Sequence, residues 1–118
     1  MPYMLLILED RDRRRSRSAN GAHVEYDRMM GFAEDLKRRG VYQASSSLKP
    51  LSKAVRVAVR GGKRIVADGP FAEAKEMVGG FFLLDCRTKE EAIAIANECP
   101  ATEWGTVEVR ELGPCYED

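Results

Sequence analysis

The sequence predicts a single α+β domain of ferredoxin-like order, β-α-β-β-α-β, with an extra hairpin inserted after the first helix. Three observations lead there. Two segments repeat apolar residues at three- and four-residue steps, as helices with one buried face do. Four others are short apolar runs or strict alternations, the mark of strands. The chain has 118 residues, the length of one domain.

Tyr3 to Leu8 is a nearly continuous apolar run, the pattern of a central strand covered on both faces. The polar stretch from Glu9 to Asn20 reads as a loop. From Ala22 to Arg39, Tyr26, Met29, Phe32, Ala33 and Leu36 share one helical face, and Gly40 stands where a helix C-terminus ends. Val41 to Leu48 is open between a weak strand and a loop. Val55, Val57 and Val59 alternate with Arg56, Ala58 and Arg60, and Gly61-Gly62 turns the chain into a partner strand over Lys63 to Ala67. Phe81 to Asp85 is a second central strand. Thr88-Lys89-Glu90-Glu91 reads as a capping box, followed by a helix burying Ala92, Ile95, Ala96 and Cys99 and stopped by Pro100. Trp104 to Leu112 is the last strand, with Val107 and Val109 on one side.

Two helices cover one face of such a sheet, yet Met4 to Leu8 and Phe81 to Leu84 show no polar alternation on the other. A second copy packed sheet to sheet is the economical cover, so a homodimer is expected.

Lysine plus arginine equals aspartate plus glutamate at 19 each, which argues against a dedicated nucleic-acid surface. The arginines from Arg11 to Arg17 are interleaved with Glu9, Asp10 and Asp12, a self-neutralising loop rather than a nucleic-acid arm. The apolar runs are too short to cross a bilayer, and the N-terminus has no signal-peptide layout, so no membrane and a cytoplasmic location are expected. Cys86, Cys99 and Cys115 form no paired motif, and with one histidine they supply no metal-ligand set. Metal and cofactor are both expected to be none.

The most specific stretch is Asp68-Gly69-Pro70-Phe71-Ala72-Glu73-Ala74-Lys75-Glu76, with Gly79-Gly80 close behind. Asp68-Gly69 is a turn dipeptide, and Pro70 suits the first position of a short helix on which Glu73 and Glu76 face the same way. With Val55-Arg56-Val57, Val107-Glu108-Val109-Arg110, Tyr3-Met4-Leu5-Leu6-Ile7 and the helix end Glu34 to Gly40, this stretch resembles the YCII-related family, in the branch marked by an Asp-Gly-Pro-Phe motif. The resemblance covers nearly the whole chain. It implies a ferredoxin-like fold that pairs into a dimeric α+β barrel, and it does not imply a reaction. It also implies a second class of function, since such domains occur beside or fused to extracytoplasmic-function sigma factors. Ala74 departs from the threonine more usual in that branch.

Asp68 ends a strand beside a rigid turn, where a carboxylate is aimed as a general acid or base must be. Capping its own turn explains it as well. Phe71 either fills a core or stacks on a ligand. Glu73, Lys75 and Glu76 either gather around a polar ligand or cation or form the solvated face of a short helix. His23 is the sole histidine; the YCII-related family is similar on its better-understood side to dehydrochlorinase-like proteins that carry a helix histidine paired with aspartate. An exposed residue at the helix start is the alternative. Gly79-Gly80 lacks nucleotide-loop spacing and suits close backbone approach or a bulge. Tyr26, Arg56, Arg60 and Arg110 are further pocket candidates. The expected ligand site thus comprises Gly69, Pro70, Phe71, Glu73, Lys75, Glu76 and Tyr26 in a homodimeric small-molecule-binding protein, and lyase-like chemistry, if any, would use Asp68 as acid or base, with His23 as its candidate helper. The rival is a regulatory domain that contacts a sigma factor.

Overall fold

The computed structural model describes residues 2–118. Strands β1 (Pro2–Asp10), β2 (Tyr42–Ser47), β5 (Glu76–Asp85) and β6 (Thr106–Glu111) form one antiparallel sheet in the order β2-β5-β1-β6. Strands β3 (Val55–Arg60) and β4 (Lys63–Asp68) pair only with each other. Helix α1 is a single turn, Arg13–Ser16; α2 spans Ala19–Arg38 and α3 spans Lys89–Glu98. The fold is mixed α+β, with antiparallel sheets, as the sequence predicts. No helix among the described residues is long and apolar enough to cross a membrane.

The strand alternation decides the core. Tyr3, Leu5 and Ile7 point to the helical side with Phe82 and Leu84, and meet Phe32, Ala33 and Leu36 of α2 and Ala92, Ile95 and Ala96 of α3 in one cluster. Phe32 and Phe82 meet edge to face at 5.2 Å, the arrangement ring quadrupoles prefer. The opposite side of the sheet is also apolar: Met4 pairs with Leu83, Leu6 with Phe81 and Leu8 with Val78.

The ends of α2 follow from local chemistry. Ser18 accepts the Gly21 amide at 2.9 Å, an N-terminal cap. At the other end Gly40 adopts φ +75°, while the Gly40 and Val41 amides bond the carbonyls of Lys37 and Leu36. That is a Schellman closure, which needs the left-handed residue glycine provides. Thr88 accepts the Glu91 amide at 3.1 Å, and the Glu91 carboxylate returns to the amide of Arg87, one residue before the position the capping box predicts.

Two local expectations are corrected and one open reading is decided. The segment after Leu8 is not a loop throughout: β1 continues to Asp10, α1 follows, and α2 begins at Ala19 rather than Ala22. Val41 to Leu48 resolves as strand β2. Residues 70–75 form no helix, because their backbone groups bond outward. Gly69 donates to Ala54, Lys75 accepts from the Arg11 amide, and only the Ala74 to Phe71 turn closes locally.

The β3-β4 hairpin projects from the body, with Val55, Val57, Val59 and Val66 all more than half exposed. The molecule measures 47 × 43 × 18 Å with a radius of gyration of 16.1 Å, against about 13.5 Å for a compact domain of this length. Its accessible surface is 8083 Å², about a quarter more than the size scaling of folded monomers gives for this mass.

Candidate functional site

A cavity of about 410 Å³ lies between α2, the end of β1 and the β2-β5 edge. Its apolar wall comes from Ile7, Met29, Met30, Ala33, Phe82 and Trp104, and its polar wall from Glu9, Arg14, Arg17, Glu25 and Ser45 to Ser47.

Glu9 is the buried charge at this site, 4% exposed. Period-two alternation on β1 carries it inward after Tyr3, Leu5 and Ile7. Its counter-ion is Arg14 from α1, with Nε 2.5 Å from Oε1. Arg14 also donates to the carbonyls of Leu48 at 2.6 Å and Gly79 at 3.0 Å. One guanidinium thus fastens α1 to β1 and to the edge where β2 and β5 diverge. Burying an ion pair is costly unless its hydrogen bonds are completed, and these bonds supply most of Arg14's share.

The glycine pair makes room for this arrangement. The register between β1 and β5 shifts at Ile7 and Leu8, so that Gly79 is an extra residue opposite them, a β-bulge. A Cβ at Gly79 would lie 2.7 Å from Glu9 Oε1 and 2.9 Å from Arg14 Nη2, and one at Gly80 would lie 2.8 Å from the Ser46 carbonyl. Close approach and a bulge are what the sequence suggests for these glycines, although they sit inside β5 rather than ahead of it.

At the mouth, Glu25 of α2 takes both prongs of the Arg13 fork and a third bond from Arg17 Nη1 at 2.7 Å. The hydrogen bonds of Arg13, joined by the one from Arg17, hold the Glu25 carboxyl below the usual range. Arg13 lies over the Trp104 ring at 5.3 Å, with Arg28 also against it at 5.7 Å, a geometry attractive through the ring quadrupole. Tyr42 and Ser45 share a hydroxyl bond of 2.8 Å on the far wall. Burial pushes the Cys99 thiol up to about 11, which leaves it a packing group rather than a nucleophile. Among the described residues no three His, Cys, Asp or Glu side chains gather closely enough to hold a metal ion.

Of the residues singled out in the sequence, Tyr26 lines the cavity. Gly69, Phe71, Glu73, Lys75 and Glu76 do not, and Pro70 borders a smaller surface hollow with Arg11, Arg15 and Leu51. Asp68 is exposed at the end of β4, and His23 is exposed on α2 outside the cavity lining. The loop instead makes a small core of its own. Phe71 is buried under the Arg56 guanidinium, 3.7 Å from its ring centroid, and Arg56 also bonds Glu73. Arg11 bonds the Phe71 carbonyl at 3.1 Å. Gly69 is tight against the Leu51 carbonyl, where a Cβ would stand 1.9 Å away. The motif therefore ties the hairpin to the start of α1.

The model of the YCII-related domain matches residues 1–115. The chain belongs to the YCII-related family. This YCII-related protein is also similar to an uncharacterized protein of Rhizobium meliloti (strain 1021), 44% identical over 69 residues, which are 55% of this chain and 54% of that protein. The YCII-related chain thus spans about half the length of that curated relative.

Sequence reasoning missed Glu9, Arg14 and Glu25. The signal for Glu9 was present in the alternation of β1. Nothing local marked Arg14 and Glu25, whose partners stand 5 to 65 positions away.

Proposed function

We propose that the protein is a homodimeric small-molecule-binding protein whose ligand occupies the cavity between α2 and the sheet. The observation that carries this reading is the Glu9–Arg14 pair, an ion pair whose carboxylate is almost wholly shielded and yet belongs to the wall of the cavity. Apolar residues of the same volume would stabilise a purely structural site as well or better. A cavity with an apolar wall and a few fixed polar groups is the usual form of a small-molecule site. The acid or base role suggested by sequence for Asp68 and His23 passes, in this reading, to Glu9, which has one oxygen held by Arg14 and stands at the cavity wall. Tyr26 keeps its place as a contact at the mouth.

The strand order β2-β5-β1-β6, with the hairpin inserted after β2, supports a ferredoxin-like topology. Residues 68–71 support membership of the Asp-Gly-Pro-Phe branch. Pairing into a barrel rests on the half-exposed apolar side of the sheet, Met4, Leu6, Leu8, Phe81 and Leu83, and on the surface excess. That excess, about 1,700 Å², is about twice what one partner buries in a standard interface. A native mass spectrum of the gently purified protein tests both parts. A dimer with a stoichiometric small-molecule adduct supports the reading, and a bare monomer opposes it.

A further inference from the structure

The charged side chains that line the cavity balance, Glu9 and Glu25 against Arg14 and Arg17, and the excess arises just behind them, where Arg13 shares Glu25 with Arg17. Arg14 is matched by Glu9. Glu25 is matched by Arg13, whose fork occupies both carboxylate oxygens. Arg17 is therefore the third cation set against two anions. Among the described residues its guanidinium makes a single hydrogen bond, to an oxygen of Glu25 that already accepts from Arg13. Its side chain is 27% exposed, and it lines the cavity. Beyond Trp104 the charges balance again, since Arg28 pairs with Glu103.

We infer that this cavity takes a small monocarboxylate with an apolar body, the carboxylate seated on Arg17 at the mouth and the body against Met29, Met30, Phe82 and Trp104. This rests on the cavity being the ligand site. A monoanion brings the cluster of Arg13, Arg14, Arg17, Glu9 and Glu25 to neutrality, whereas a cation adds to its excess and a neutral head leaves Arg17 sharing Glu25 with Arg13. Guanidinium groups bind carboxylates through paired, charge-assisted bonds, and Arg17 has N–H groups to offer because Arg13 has taken the geometry of Glu25. The cavity, at about 410 Å³, has the volume for a ring or a short branched chain, and its tryptophan gives the site a built-in reporter, being the only one in the chain.

The test is titration of the full-length protein with three probes of nearly one shape and different charge: phenylacetate, phenylacetamide and phenethylamine, followed by Trp104 emission and by calorimetry. Phenylacetate is expected to bind at least tenfold more tightly than either of the others, with affinity falling as salt rises. Arg17→Gln is expected to weaken phenylacetate about tenfold, because the glutamine amide keeps one N–H donor but loses the charge and the second prong, and to leave phenylacetamide unchanged. Glu25→Gln, which raises the local positive excess, is expected to tighten phenylacetate, so the inference stays testable should Arg17→Gln fold poorly. Equal or tighter binding of the amide or amine overturns the charge assignment and leaves the cavity standing as a ligand site. Silence from all three probes at tens of millimolar overturns the cavity reading and this inference together.

Discussion

Arg14 sets its Nε 2.5 Å from Oε1 of Glu9 while its terminal nitrogens hold the carbonyls of Leu48 and Gly79. Removing the cation leaves a carboxylate that is only 4% exposed without its partner. Arg14→Met is expected to destabilise the protein by about 3–5 kcal/mol, and adding Glu9→Gln should recover much of that. Urea denaturation of Arg14→Met, Glu9→Gln and the double variant measures both. Additive losses would mean that the two side chains are not coupled.

Two glycines with contrasting surroundings give opposite expectations. Gly79→Ala drives a methyl to within 2.7 Å of the Glu9 carboxylate, so it should lower stability and disturb the cavity together. Gly31 lies inside α2 with nothing within 4 Å of an added Cβ. Gly31→Ala should stabilise by about 1 kcal/mol. Thermal melts of both variants decide the signs.

The Asp-Gly-Pro-Phe turn is expected to behave as a fastening. Phe71→Ala removes the ring that packs beneath Arg56 and should cost about 3 kcal/mol. Asp68 is exposed, and Asp68→Ala should change stability by less than about 0.5 kcal/mol with probe binding at Trp104 unaltered. Loss of binding in Asp68→Ala with the fold intact would return the site to the loop.

How much of this was legible in the sequence depends on where each residue's partner lies. The helix over residues 19–38, the Gly61-Gly62 hairpin and the Thr88 cap rest on neighbours a few positions apart, and the pattern shows them directly. Helix α1 was hidden because Arg13, Arg14 and Arg15 carry no apolar period; their order comes from Glu25, Glu9 and Asp12. The stretch after Pro70 looked helical because proline and acidic residues suit a first turn. Bonds to Ala54 and Arg11, far along the chain, override that preference. Glu9 was readable from period two, yet a charged residue at the end of an apolar run is easily taken as the start of a loop.

Acid should loosen the mouth of the cavity. The Glu25 carboxyl is held below its ordinary value of 4.5 by Arg13 and Arg17, so its ionised form is bound more strongly in the folded state than in the unfolded one. That stability is present above about pH 4.5 and disappears as pH falls through the lowered folded value. Glu25→Gln should flatten the dependence of the denaturation midpoint on pH below about 4.5. A wild-type slope in the variant would show that Glu25 contributes nothing to it.

Amide and indole N–H shifts recorded on the full-length protein with and without the three phenyl probes address the cavity most directly. Shifts clustered on Ser45 to Leu48, Gly79, Gly80 and the Trp104 indole are expected, because these groups line the space between α2 and the sheet. Shifts clustered on Gly69 to Glu76, with the cavity residues unmoved, would contradict it.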